Sequence, residues 1–349
     1  LNSNQNVWNV RDAGTTMRFL TAYATVTGQQ VVLTGTERMQ ERPIKLLVDA
    51  LTEIGAKISY EKKDGYPPIK IIGFDPVNRG AIHMQGNVSS QYISALLMVA
   101  PLLPGGLKIQ LTPPIYSVPY INMTMNIMEH FGARAQWTDA NTIEVQQKNY
   151  GAAQLTIEPD WSGASYWLSA VSIAQSGTIE IKNISKKSLQ GDAAIMEIMK
   201  NLGVESIENK NGIVFAPTKH YKAFEYDFRN CPDLAQTVMV ACAANKINAK
   251  FTGLESLKIK ETDRVAAMQN ELAKLNAHLL EEGDAWELYC DEVIIPERVF
   301  INTYDDHRMA MAFAPLSLIT ELTIEDPSVV NKSYPSFWED FEKIKRLKQ

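Results

Sequence analysis

One pattern recurs along this chain about every 70 residues, and it narrows the available folds more than any other feature of the sequence. In its first half, a polar turn opens an apolar helix that stops near a glycine and feeds a short β-rich run, as from Gly14 to Gly28 and on to Val31-Val32-Leu33. Four more copies run from Ser89 to Ile109-Gln110-Leu111, Ser162 to Ile179-Glu180-Ile181, Pro232 to Ala249-Lys250-Phe251, and Asp306 to Leu322-Thr323-Ile324. The strands open at residues 31, 109, 179, 249 and 322, with spacings of 78, 70, 70 and 73. In the second half, an amphipathic helix ends in a Gly-Ala-like stop and leads into a hairpin. The stops are Ile54-Gly55-Ala56, Phe131-Gly132-Ala133, Leu202-Gly203-Val204 and Leu275-Asn276-Ala277. The hairpin tips are Asp64-Gly65, Asp139-Ala140-Asn141, Asn211-Gly212 and Gly283-Asp284.

Each unit thus holds two helices and about four strands. That is too little to bury a large core alone, so several units must share one. A chain of 349 residues exceeds what one core usually spans, and two domains are expected. The boundary falls near Gly151–Glu158, before a helix opening at Asp160-Trp161-Ser162, and divides the chain into 1–157 and 158–349. Three units follow the boundary and two precede it. Symmetry therefore predicts one further unit at the front, about 70–80 residues before Leu1. The chain also opens without methionine, in Leu-Asn-Ser-Asn-Gln-Asn, which has neither the charged nor the apolar region of a signal peptide and reads as a cut.

Charge and cysteine content exclude several classes of function. A net charge of −6 with no basic run interleaved with aromatics argues against a nucleic-acid partner, so any anion site must be basic only locally. Cys231, Cys242 and Cys290 are too few and too scattered for a disulfide framework and show no Cys-x-x-Cys spacing, which fits a reducing cytoplasm. The most apolar stretches, around 93–103 and 309–319, each carry a proline and are too short to span a bilayer. No membrane partner is expected.

Chemistry concentrates at the openings of the first-half helices: Asp12-Ala13-Gly14-Thr15-Thr16, Ser89-Ser90-Gln91, Asp160-Trp161-Ser162, Pro232-Asp233 and Asp305-Asp306-His307-Arg308. Ser, Thr and Asp at such places are ordinary N-caps, and that reading explains most of them. It does not explain Gln91, His307 or Arg308. If the units pack about pseudo-threefold axes, equivalent helix starts point to a common region where free N–H groups favour anions. Lys260-Glu261-Thr262-Asp263-Arg264 reads as the head of a helix, with Lys260 and Arg264 on one face of its first turn. A solvated salt-bridge face is the ordinary fate of such a cluster, but two cations at the positive end of a helix dipole suggest a bound anion. Arg38 and Arg42 approach another helix, with Pro43 expected in its first turn, and an arginine there suits bidentate capture of carboxylate or phosphate. Lys332 lies in a turn near the end.

Together these motifs resemble the 5-enolpyruvylshikimate-3-phosphate synthase family of enolpyruvyl transferases. The resemblance runs nearly end to end through Asp12-Ala13-Gly14-Thr15-Thr16-Met17-Arg18, Arg38 to Ile44, Val88-Ser89-Ser90-Gln91, Ser117-Val118-Pro119-Tyr120, Ile259 to Arg264, and Tyr304-Asp305-Asp306-His307-Arg308-Met309-Ala310-Met311. It implies an α/β fold of two domains built from βαβαββ units about pseudo-threefold axes, of inside-out α/β barrel type, with a ligand cleft between them. It implies transfer of the enolpyruvyl group of phosphoenolpyruvate to the 5-hydroxyl of 3-phosphoshikimate, by addition and elimination with release of phosphate. Carried over residue by residue, Ser89, Ser90, Gln91, Ser117, Tyr120, Asp233, Ser256 and Lys260 bind the phosphoshikimate. Gly14, Arg42, Gln91, Arg264, Arg308 and Lys332 hold phosphoenolpyruvate. Asp233 is the candidate base for the attacking hydroxyl, Glu261 the acid for the methylene carbon, and Lys332 and His307 assist departure of phosphate. For Asp233 the ordinary alternative is an N-cap, and for Glu261 a first-turn dipole partner. No cofactor and no metal are expected, and a monomer is.

Three positions depart from the family pattern. Asp12 stands where Asn is common, Phe19 where Pro is frequent, and Ser256 where Asn is frequent. Asp12 and Phe19 leave sensitivity to glyphosate, an inhibitor of this family, open. The family also carries a Lys-Ser pair and an arginine in its front segment, and nothing in this sequence substitutes for them. The sister transferase acting on UDP-N-acetylglucosamine needs a loop cysteine beside arginine and glycine, which none of the three cysteines supplies. An inactive anion-binding fragment is the reading of a different class.

Overall fold

The structure, a computed structural model, describes residues 6–78 and 80–346, so Leu1–Gln5 of the start lie outside the described residues. Its order follows the repeat. The first unit runs β1 (Val7–Asn9), α1 (Gly14–Val26), β2 (Val31–Thr34), α2 (Glu37–Gln40), α3 (Lys45–Glu53), β3 (Ala56–Tyr60) and β4 (Ile69–Phe74). The second runs β5 (Ala81–Gln85), α4 (Ser90–Val99), β6 (Leu107–Thr112), α5 (Val118–His130), β7 (Ala135–Trp137) and β8 (Thr142–Val145). The third holds α6 (Trp161–Ala174), β9 (Ile179–Lys182), α7 (Ile195–Asn201), β10 (Val204–Asn209) and β11 (Gly212–Pro217). The fourth runs β12 (Ala223–Asp227), α8 (Ala235–Ala244), β13 (Asn248–Thr252), α9 (Arg264–Ala273), β14 (His278–Glu282) and β15 (Ala285–Tyr289). The last holds β16 (Arg298–Ile301), α10 (His307–Phe313), β17 (Glu321–Ile324) and α11 (Phe337–Arg346).

Strand order repeats as well. The sheets β1-β2-β4-β3, β5-β6-β8-β7 and β12-β13-β15-β14 each join a parallel pair to an antiparallel hairpin. A parallel pair needs a crossover, and α1, α4 and α8 supply it. The other two sheets are smaller: β10-β11-β9 has no parallel strand, because the chain from 146 to 160 takes no regular structure, and β16-β17 is a parallel pair alone. About four strands in every unit is therefore corrected to four, four, three, four and two among the described residues.

Two kinds of helix alternate, for a reason written in their residues. From Ala235 to Ala243 every residue of α8 is buried, and α4 and α6 are nearly so, which requires helices apolar all round. In α3 only Leu47, Val48, Ala50 and Leu51 are buried, a single stripe. The crossover helices α4 and α8 are thus interior, whereas α1, like α3, buries only part of its surface. The stops behave alike, since Gly55, Gly132, Gly203 and Asn276 all take positive φ. At Gly55 a Cβ would meet the Asp75 carbonyl oxygen at 1.9 Å, so no other residue fits.

The chain divides into compact bodies of residues 1–156 and 157–349, each with its own apolar core. Local boundaries differ from the sequence reading at two functional places. Pro43 lies ahead of α3, whose N-cap is Ile44, rather than in its first turn. Lys260 and Glu261 lie ahead of α9, because the Asp263 side chain accepts from Ala266 N at 3.0 Å and starts the helix at Arg264.

Candidate active site

In the second body, the candidates from the fourth and fifth units form one charged network. Asp233 occupies the 3-10 turn Pro232–Leu234 that leads into α8 and caps neither helix, so the N-cap reading fails. Its carboxylate instead accepts from Arg264 Nη1 at 2.9 Å and Arg308 Nη2 at 3.0 Å, and faces Lys260 Nζ at 3.4 Å. Burial alone would raise this carboxyl, but Arg308, Lys260 and Arg264 hold it well below the usual carboxylate range.

Arg264 is the hub, only 2% exposed. Its Nε and Nη2 donate to Asp306 at 2.6 and 3.3 Å, and Nη2 also reaches Glu261 Oε2 at 3.0 Å. A cation opening a helix opposes the dipole, and burial costs more still. Asp306, Asp233 and Glu261 outweigh both costs and keep the guanidinium charged. Glu261 takes Lys332 Nζ on its other oxygen at 2.8 Å, so it bridges two cations and is not a dipole partner of the first turn. Arg308 also donates to Tyr166 Oη at 3.3 Å and Ser162 Oγ at 3.5 Å, and Ser162 in turn donates to buried Asp192. Four cations and three carboxylates thus interlock among the described residues.

Asp306, fully buried, receives no role from sequence because an N-cap explains it there. It is one, accepting Arg308 N at 2.9 Å, while its carboxylate also holds Arg264. His307 beside it is buried, with Nδ1 3.6 Å from Asp306 and in no hydrogen bond. Burial first, then Arg308, pushes its pKa down to about 4, so at neutral pH it carries no charge to offer a departing phosphate. Ser256 sits in the 3-10 turn Glu255–Ile259 just before Lys260.

The first body carries the other candidates on α1, α4, α5 and the loop before α3. Gly14 opens α1 directly against two guanidinium groups. A Cβ there would stand 3.0 Å from Arg42 Nη1 and 3.1 Å from Arg18 Nη1. Arg18, given no role from sequence, is buried and donates to the carbonyls of Gly14 and Pro43 at 3.2 and 3.0 Å, with Tyr92 beneath it at 5.7 Å. Ser89 caps α4 through Gln91 N at 3.4 Å, and Gln91 Nε2 donates to Thr15 Oγ1 at 3.0 Å, which ties α4 to the α1 opening. Ser117 takes φ +56 at the start of α5 and its side chain caps nothing, so its hydroxyl is not spent on the helix; Ser90 and Tyr120 open α4 and α5 beside these groups. Asp12 accepts from the Thr36 hydroxyl, as an asparagine oxygen would.

The cysteines play no part in this. All three are buried, and burial pushes the Cys231 and Cys290 thiols up to about 12 and Cys242 well above its usual value. Among the described residues no three His, Cys, Asp or Glu side chains converge as a metal site, and no helix is long and apolar enough to cross a membrane.

Known proteins share both sequence and architecture with this chain. The family model described as EPSP synthase (3-phosphoshikimate 1-carboxyvinyltransferase) matches residues 1–341. The 3-phosphoshikimate 1-carboxyvinyltransferase of Bacteroides fragilis is 43% identical over 98% of this chain and 84% of its own length. That of Methanospirillum hungatei is 37% identical over 96% and 78%. Among solved structures, EPSP synthase from Acinetobacter baumannii superposes with a TM-score of 0.76 at 20% identity, covering 98% of this chain and 79% of that one. The enolpyruvyl transferase NikO from Streptomyces tendae reaches 0.66 at 14% identity, covering 86% and 71%.

Proposed function

Since the chain belongs to the EPSP synthase (3-phosphoshikimate 1-carboxyvinyltransferase) family, we propose that the carboxyvinyl transfer it catalyses runs through the Asp233–Glu261–Arg264–Arg308–Lys332 network. The activity places it in the shikimate pathway, moving the carboxyvinyl group of phosphoenolpyruvate onto the 5-hydroxyl of 3-phosphoshikimate with release of phosphate. The sister activity on UDP-N-acetylglucosamine is not supported, and a buried Cys231 with its thiol pushed up to about 12 is no loop nucleophile or acid.

In this reading, Ser89, Ser90, Gln91, Ser117 and Tyr120 bind phosphoshikimate from the first body, with Asp233, Ser256 and Lys260 from the second. Gly14, Arg42 and Gln91, with Arg264, Arg308 and Lys332, hold phosphoenolpyruvate. Asp233 takes the proton of the attacking hydroxyl, the new C–O bond forms at C2, and Glu261 protonates the methylene carbon. Phosphate then leaves from C2, Glu261 takes back a methyl proton, and the proton on Asp233 passes to the departing group. Pseudo-threefold packing within domains 1–157 and 158–349 belongs to the same reading and is supported by the recurring strand order. A monomer working in the cytoplasm without a cofactor belongs to it too.

The observation that carries the reading is Glu261 held between Arg264 and Lys332. Both cations belong to the phosphoenolpyruvate set, so an arriving substrate anion draws them from the carboxylate, which then takes up from solvent the proton it gives to the methylene carbon. Loading and arming of the acid become one event. The variant Glu261→Gln is nearly isosteric but cannot exchange the proton, and turnover should fall by roughly 10²–10⁴ while phosphoshikimate binding by calorimetry stays near wild type. Near-normal turnover removes Glu261 from the mechanism.

A further inference from the structure

The segment leading to Asp306, His307 and Arg308 is bent in a way its residues do not favour. Tyr304 and Asp305 both have φ +53, and Asp306 N closes the turn on Thr303 O at 2.9 Å. A turn with both central residues left-handed ordinarily selects Gly, Asn or Asp, so Tyr304 is the strained member of this one. Something outside the turn must hold it.

Glu271 does so. It is fully buried in α9, seven residues after Arg264 and so two turns along the same face. A carboxylate there is costly unless its oxygens are satisfied, and they are satisfied largely by this one segment. Asn302 N and Nδ2 donate to it at 3.0 and 3.1 Å, and Tyr304 Oη at 2.8 Å. Lys274 Nζ closes the set at 2.6 Å while also donating to the Phe300 carbonyl at 2.9 Å. Glu325 takes Thr303 N at 2.9 Å from the other side. Burial first and then Glu271 push the Tyr304 hydroxyl up, so it stays a donor. Helix α9 therefore grips the segment at two points, Arg264 on Asp306 and Glu271 on Asn302 and Tyr304.

We propose that Glu271 is a positioning residue for carboxyvinyl transfer: it holds the strained turn 303–306 and thereby sets where Arg308 stands for phosphoenolpyruvate. This rests on the reading of Arg308 given above. The effect falls mainly on one substrate, because Arg308 is assigned to phosphoenolpyruvate, while five of the eight residues assigned to phosphoshikimate, Ser89, Ser90, Gln91, Ser117 and Tyr120, belong to the other body.

The test is steady-state kinetics on full-length enzyme, with both KM values and the thermal midpoint measured for each variant. Glu271→Ala should raise KM for phosphoenolpyruvate about tenfold and Tyr304→Phe about threefold, with KM for phosphoshikimate within about twofold of wild type. Leu272→Ala removes a fully buried neighbour on α9 that makes none of these bonds, so it should lower the midpoint and leave the phosphoenolpyruvate KM unmoved. Equal shifts in both KM values, or an equal phosphoenolpyruvate shift in Leu272→Ala, overturn the proposal and leave Glu271 a purely structural residue. If Glu271→Ala does not fold, Tyr304→Phe decides alone, and an unmoved phosphoenolpyruvate KM overturns it. Arg308→Ala separates the two claims: if it leaves that KM unchanged, the site reading itself has failed, whatever Glu271 does.

Discussion

The two bodies hold their buried arginines by opposite means. Arg18 in the first donates to backbone carbonyls and lies over an aromatic ring, so dipoles and a quadrupole stabilise its charge. Arg264 in the second is locked to three carboxylates. A cation held by dipoles keeps most of its field for a ligand, whereas one held by carboxylates has its field cancelled until a ligand rearranges the pairs. In the proposed function the first arrangement is a standing anion receptor. In the same reading the second is a latch, and two of its three carboxylates, Asp233 and Glu261, are the groups proposed to move protons.

The contrast breaks most visibly at Asp306. Replacing it by Ala strips buried Arg264 of the two hydrogen bonds from its Nε and Nη2 and leaves α10 uncapped. Unfolding free energy should drop by roughly 3–5 kcal/mol in a denaturant titration. A loss below about 1 kcal/mol would mean that Asp233 and Glu261 suffice for Arg264 and that the latch has slack.

Protons act on the same side of the comparison. Folded His307 titrates near 4 against an ordinary 6.5, so the unfolded chain binds its proton first as pH falls. Stability linked to His307 is whole above about 6.5 and is lost progressively down to about 4, by up to roughly 3 kcal/mol. Asp233 and Asp306, held low in the fold, lose theirs only below the usual carboxylate range. Thermal midpoints of His307→Asn between pH 7 and 4.5 should therefore be flatter than wild type. Parallel curves would show that His307 is not the acid-sensitive group.

The smallest effect sharpens the first body. In Gly14→Ala the new Cβ meets only the far ends of Arg42 and Arg18, which can yield a few tenths of an ångström, so stability should change by under about 1 kcal/mol. The displaced guanidinium groups should nonetheless raise the phosphoenolpyruvate KM about tenfold, since geometry at an anion site is unforgiving. An unchanged KM would take the Gly14 surface out of the substrate's path.

Much of this architecture is legible in the sequence because repeats multiply weak signals. The hairpin tips and Gly stops recur with the period, and the Ser89 and Asp160 caps are where sequence places them. What stays hidden is pairing. Asp306 satisfies one rule, the N-cap, so nothing points to its second partner 42 residues earlier. Glu271 sits in the last turn of α9 among ordinary helix formers, and only tertiary contact reveals that its charge is buried. Charge periodicity draws Lys260 into α9 because it runs on past Asp263, the residue whose side chain starts the helix. Sequence periodicity reports local faces, while a salt-bridge network is long-range and leaves no periodic trace.

The depth and raised pKa of Cys231 carry a consequence for anyone designing against this fold. An electrophilic warhead needs a thiolate, and the cysteine two residues before Asp233 is both covered by protein and almost wholly protonated at neutral pH. Covalent capture through Cys231 is closed to it, and an inhibitor aimed at the proposed second-body network has to compete for guanidinium and ammonium groups already paired with internal carboxylates.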